Sequence, residues 1–247
     1  MISEFALFVF TTLGGLGACL YAASAVFPVS GKRANVAVPL ITLACLGVGG
    51  LALLLHLGHP ERMFNAFANP GSGITQEAIV SMVFGAIVVI DLALSFFKDS
   101  SPRALRIVGA IAGIALCCVM GLAYYAYESQ AAWHAWTTIP LFLCGDLAVG
   151  CLLLGVVDKQ VATGKTFMMA NVILSALAAI SFAAAGAHFA GVGLPPYPFI
   201  AAVVLATAAV CGACVADKRQ DPNMYWPAFA AMFIAIVVAR YAFYAVV

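Results

Sequence analysis

A histidine and a glutamate stand at the two ends of the most polar stretch of this chain, and both can carry out proton chemistry. His56 closes one long apolar run and Glu77 opens the next. Thr75 is predicted to be the N-cap of the second helix, which places Glu77 in its first turn. Because the joining segment is short, we expect the imidazole and the carboxylate at the same depth on neighbouring helices. Each can accept a proton near neutral pH, and the pair suits a substrate that loses protons and electrons together.

The elements that hold these residues are predicted to be membrane-spanning helices, because the composition excludes a soluble domain. Of the 247 residues, 65% are hydrophobic and 9% are charged, whereas soluble domains carry about 25% charged residues. The formal net charge of +1 excludes the basic surface that nucleic-acid binding requires. A spanning helix takes about 20 residues, so eight of them leave no room for a soluble catalytic domain.

Eight apolar runs are long enough to cross a bilayer, and backbone hydrogen bonding in lipid requires that they be helices. The runs cover residues 4–27, 36–57, 76–97, 104–127, 137–157, 167–190, 197–216 and 225–246. We therefore predict an all-α integral membrane protein in which residues 1–247 form a single domain of eight transmembrane helices. Glu4 stands where a signal peptide would carry basic residues, which favours a retained first helix.

The uneven distribution of lysine and arginine between the loops predicts the orientation. The loops after even-numbered helices hold only Arg62. The loops after odd-numbered helices hold Lys32, Arg33, Lys98, Arg103, Arg106, Lys159, Lys165, Lys218 and Arg219. By the positive-inside rule, the basic loops face the cytoplasm and both termini face the outer (periplasmic) side. The outer side then holds all four histidines, which are His56, His59, His134 and His188.

The remaining residues that could take part in chemistry, the cysteines and Asp146, lie inside the predicted spans. All eight cysteines do so, which excludes a disulfide framework and a cluster-binding loop. Cys211 and Cys214 form a C-x-x-C sequence that we interpret as small packing residues of a lipid-embedded helix. Asp146 lies near the middle of the fifth span, and an intramembrane carboxylate is a candidate functional residue.

The polar segment resembles the signature of the membrane-anchor subunits of dimethyl sulfoxide reductase-type molybdenum enzymes. The resemblance is carried by Leu55-His56-Leu57-Gly58-x-Pro60-x-Arg62-x-Phe64-Asn65, with Glu77 opening the next helix. It extends to Glu4-x-x-Leu7-x-x-Phe10-Thr11-x-x-Gly14, to Tyr127 and Trp133, and to Arg240-x-x-Phe243-Tyr244. The chain departs from the family at His59 and Asp146, where smaller residues are usual. The likeness covers nearly the full chain and is weakest in the sixth and seventh helices.

The resemblance implies a function in anaerobic respiration at the bacterial cytoplasmic (inner) membrane. Family members are eight-helix anchors with outward termini that hold no haem, and we expect no haem, iron-sulfur cluster or metal in this chain. They oxidise menaquinol near the outer face and pass its electrons to an iron-sulfur subunit, which feeds a molybdopterin catalytic subunit. Both partners are expected to dock on the outer loops. The residues implied for quinol oxidation are His56 and Glu77, and those implied for quinol binding are His56, Arg62, Asn65, Glu77, Tyr127, His188 and Arg240.

Two other functions remain open on the residues alone. A b-type cytochrome subunit would use His56 and His188 as axial haem ligands. A proton-coupled transporter would use Asp146 as its midplane site, with the two four-helix halves as repeats.

Overall fold

The structure is a computed structural model that describes residues 4–56 and 68–246, the side chains of residues 55 and 56 excepted. Within these ranges the chain forms eight long helices and no strand. The helices are α1 (Phe5–Val26), α2 (Gly31–His56), α3 (Gly73–Phe97), α4 (Arg103–Tyr125), α5 (Thr138–Val157), α6 (Lys165–Gly191), α7 (Tyr197–Arg219) and α8 (Tyr225–Tyr244). All eight are long and apolar enough to cross a bilayer, so the protein is a multi-pass membrane protein, as the sequence predicted.

Helices α2 and α3 begin well before the apolar runs that predicted them. Helix α2 begins at Gly31 rather than at residue 36, because the exposed Lys32 and Arg33 extend its first turn without burying charge. The prediction that Thr75 caps α3 was wrong. Ser72 is the N-cap, and its hydroxyl accepts a hydrogen bond from the Thr75 N–H at 3.2 Å. The helix therefore begins at Gly73, and Glu77 lies in its second turn.

Helices α1 and α5 form the centre of the bundle, and the other helices each leave one side open to lipid. Helix α1 packs against α2, α4, α5 and α8, and α5 packs against α4, α6 and α8 as well. Glycine makes the close approach of the two central helices possible, since a Cβ on Gly150 would overlap the α1 backbone at Cys19 and Leu20. Small residues at the interface allow van der Waals packing, which drives helix association in lipid.

A buried ion pair that the sequence pattern does not predict links α3 to α4. The distribution of basic residues predicts Arg106 in a loop, whereas the structure buries it in the first turn of α4. Its Nε lies 3.3 Å from a carboxylate oxygen of Asp91, and its Nη2 donates to the backbone carbonyl of Asn35 in α2 at 3.2 Å. A buried arginine has to be satisfied in this way because an unpaired charge in a low-dielectric interior is costly.

The cysteines lie in helices, as predicted, and none of the eight forms a disulfide. Cys19 and Cys117 bring α1 and α4 together, with their Sγ atoms 3.6 Å apart. Cys211 and Cys214, interpreted from the sequence as small packing residues, are exposed on the surface of α7, so they do not pack in the interior of the described bundle.

Candidate functional site

The bundle contains a cavity at the end where α1 and α3 begin and α4 finishes. Its volume is about 500 Å³, within the range of sites that hold a small organic ligand. The polar lining consists of Glu4, Ser72, Glu77, Tyr127, Ser129 and Gln130. Apolar and aromatic side chains complete the wall, among them Leu7, Ile74, Tyr124 and Trp133. This combination suits an aromatic molecule that carries hydroxyl or carbonyl groups.

Glu77 is the buried acid of the cavity. Its side chain is only 5% exposed, although it lines the cavity wall. Among the residues that the structure describes, no lysine, arginine or histidine lies within ion-pair distance of its carboxylate. A carboxylate that is buried in a cavity wall is stabilised when a bound group donates a hydrogen bond to it. Glu77 is therefore suited to binding a ligand hydroxyl and accepting its proton.

Tyr124 and Trp133 form an aromatic wall, and side chains of α5 and α8 hold their rings in place. Their rings meet edge to face with centroids 5.3 Å apart. The indole N–H of Trp133 donates to the backbone carbonyl of Phe243 at 2.7 Å, and the two rings stack at 5.5 Å. Tyr124 stacks on Phe142 at 5.5 Å and an interplanar angle of 12°. Aromatic contacts of this kind fix ring orientation as well as burying apolar area.

The mouth of the cavity is more exposed than its wall. Tyr127 is 55% exposed and contacts Trp133, with ring centroids 5.7 Å apart. Glu4 is half-buried at the N-terminal end of α1. The side-chain amide of Gln130 donates to the backbone carbonyl of Val246 at 3.4 Å, which ties the loop before α5 to the end of α8. The cavity is thus lined by two carboxylates, the buried Glu77 and the half-buried Glu4.

Comparison with known proteins identifies the family. The sequence profile of the DMSO reductase anchor subunit (DmsC) family matches residues 1–247. The chain belongs to this family. A named relative is the C subunit of the anaerobic dimethyl sulfoxide reductase of Escherichia coli (strain K12), which is 33% identical over 118 residues. That alignment covers 44% of this protein and 41% of the relative, so less than half of the relative's length is matched. The resemblance derived from the sequence is confirmed.

The structure brings two of the predicted site residues of this anchor subunit together and leaves others apart. Glu77 and Tyr127 line the cavity. His188 and Arg240 are not among its lining residues: Nε2 of His188 lies 2.9 Å from the backbone carbonyl of Ala131, and Arg240 is buried behind the aromatic wall. The side chain of His56, together with His59, Arg62 and Asn65, lies outside the described residues, so their predicted roles stay predictions.

Several residues of the cavity were missed by sequence reasoning. Tyr124 and Gln130 carried no distinguishing signal, since Tyr124 is one of three tyrosines close together at the end of an apolar run and Gln130 follows two other polar loop residues. Glu4 belonged to the motif of the first helix but was not assigned to the site. Asp91, which is elsewhere in the bundle, did carry a signal, because a carboxylate within an apolar run needs a buried partner.

Proposed function

We propose that this anchor subunit binds menaquinol in the cavity beside Glu77, oxidises it and passes its electrons to an iron-sulfur subunit, which feeds a molybdopterin catalytic subunit. Residues 1–247 then act as one membrane domain in the bacterial cytoplasmic membrane. The cavity end of the bundle faces outward, as do both termini, because the basic residues concentrate at the other end of the bundle. The partner subunits dock on the outward loops next to the cavity.

The observation that carries this proposal is the buried carboxylate of Glu77 in the wall of a cavity with aromatic sides. A quinol is a flat aromatic ring with a hydroxyl group on each of two opposite carbons. The rings of Tyr124 and Trp133 offer a surface for the flat body, and Glu77 offers an acceptor for one hydroxyl. The family resemblance also associates the Glu77 position, together with that of His56, with quinol oxidation.

Oxidation of the quinol breaks both O–H bonds and releases two protons and two electrons. Glu77 accepts the proton of one hydroxyl, and His56 is proposed to accept the other. Glu4 is half-buried in the same cavity, so it provides a second carboxylate through which protons reach water. The electrons leave to the iron-sulfur partner, and the quinone returns to the bilayer.

The test compares two electron donors in the same membranes, which contain the complete complex. Glu77→Gln and His56→Ala are expected to lower naphthoquinol-dependent turnover by about 10²- to 10⁴-fold, the usual cost of losing a general base. Activity with a reduced viologen, which supplies electrons to the partner directly, is expected to stay unchanged because the anchor still assembles. Glu128→Gln is the matched control, since Glu128 is an exposed loop carboxylate outside the cavity lining. A parallel fall of both activities would contradict the proposal and indicate a role in folding or docking.

A further inference from the structure

A second buried ion pair lies directly behind the cavity, between α5 and α8. Nη2 of Arg240 donates to a carboxylate oxygen of Asp146 at 2.7 Å, and the two side chains are 1% and 0% exposed. Nη1 of Arg240 donates to the backbone carbonyl of Thr11 in α1 at 2.6 Å. The guanidinium also stands 4.7 Å above the ring of Phe142. One arginine therefore binds α1, α5 and an aromatic ring at the same time.

Two series of contacts lead from Arg240 to the cavity wall. In the first, Phe142 lies under the guanidinium and stacks on Tyr124. In the second, the hydroxyl of Thr11 lies 3.2 Å from that of Tyr244, and the Tyr244 ring meets Tyr124 edge to face at 5.4 Å. Both series end at Tyr124, which lines the cavity together with Glu77.

We propose that the Asp146–Arg240 pair is a positioning element of the quinol site, which fixes the aromatic wall at Tyr124 in the orientation that binds the quinol ring. This inference rests on the proposed function and deepens it. Stability alone does not account for the pair, because a buried ion pair is often no more stabilising than apolar residues of the same volume. A three-way arginine contact does specify geometry, since the planar fork of arginine fixes the relative positions of the groups it binds.

The Asp91–Arg106 pair supplies a matched control within the same protein. It too is buried, joins neighbouring helices and includes an arginine that donates to a backbone carbonyl of a third helix. Neither residue lines the cavity or makes a ring contact with its wall. Damage to either pair is expected to disturb the bundle to a similar degree, whereas only damage to Asp146–Arg240 is expected to alter quinol binding.

The experiment measures occupancy of the cavity without electron transfer. Replacing the exposed Trp136 and Trp226 by phenylalanine leaves Trp133, in the cavity wall, as the only tryptophan. Quenching of its fluorescence by a short-chain naphthoquinone then gives a Kd for the purified full-length protein in detergent. Arg240→Lys keeps the positive charge but loses the planar fork, and it is expected to raise Kd about tenfold, which corresponds to about 1.4 kcal/mol of binding free energy. Arg106→Lys is expected to leave Kd within about twofold of the parent, well inside a tenfold change.

A second pair of variants controls for differences in folding between the mutants. Asp146→Asn and Asp91→Asn are compared in the same way, and thermal unfolding is followed for all four variants. A larger Kd for the Asp146 and Arg240 variants, at unfolding temperatures close to those of their controls, supports the inference. Equal Kd changes in both pairs, or unchanged Kd in all four, would overturn it. Absence of quenching in the parent protein would instead contradict the proposed function itself and remove the basis of this inference.

Discussion

Gly15→Ala is expected to displace the Asp146 carboxylate, although it adds only one methyl group in a neighbouring helix. A Cβ on Gly15 would fall within the van der Waals envelope of that carboxylate. The carboxylate cannot yield freely, because Arg240 holds it at 2.7 Å and both side chains are buried. Breaking a buried pair costs about 3 kcal/mol or more, and the better helix propensity of alanine returns about 1 kcal/mol. The expected net loss is about 2 kcal/mol in the free energy of unfolding.

The adjacent Gly14 provides the control. A Cβ there would meet chiefly the terminal methyl of Met120 at 3.1 Å, which is the mobile end of a flexible side chain. Gly14→Ala is expected to change stability by less than about 1 kcal/mol. In thermal unfolding of the purified protein at one heating rate, Gly15→Ala is expected to lower Tm by about 4 to 8 °C. Equal Tm values for the two variants would refute the described packing of α1 against the ion pair.

Three further predictions concern topology, cofactor content and proton release. In a cysteine-free background, a single cysteine at Ser72 is expected to react with an impermeant reagent from the outer side and one at Ser100 from the cytoplasmic side; labelling of both from the same side would overturn the orientation. The purified protein is expected to show no Soret band, whereas a stoichiometric band that is lost in His188→Ala would favour the cytochrome alternative. Glu4→Gln is expected to slow naphthoquinol turnover by about tenfold or more and to shift its pH profile, and an effect no larger than that of Glu128→Gln would exclude Glu4 from the proton path.

The eight spans were predictable because a long apolar segment that crosses lipid has to form a helix. Every apolar run became a helix, since the bilayer core offers no other partner to backbone N–H and C=O groups. Helix ends were less predictable because they lie in the polar boundary, where propensity and capping decide. Ser72 and Thr75 are both suitable N-cap residues, and only the structure shows that Ser72 accepts the hydrogen bond.

Only those residues of the candidate site that belong to a recognisable sequence motif could be predicted. Glu77 was selected because it opens a helix after a polar segment that resembles a known family. Tyr124 was not, because its role depends on which rings stack behind it on α5 and α8. Asp91 and Asp146 likewise pair with arginines on other helices, Arg106 and Arg240. Spacing along the sequence does not specify such contacts across a bundle.

Photolabelling tests the central claim, that the cavity beside Glu77 is where quinol binds, most directly. An azido-naphthoquinone is irradiated with the complete complex in native membranes, and the labelled peptides of the anchor are identified by mass spectrometry. We expect label within residues 72–77 and 123–133, the two segments that supply most of the cavity lining, and protection by an excess of unlabelled naphthoquinol. Protectable label instead at the apolar groove between α6 and α7, near Ala187 and Phe199, would contradict the account.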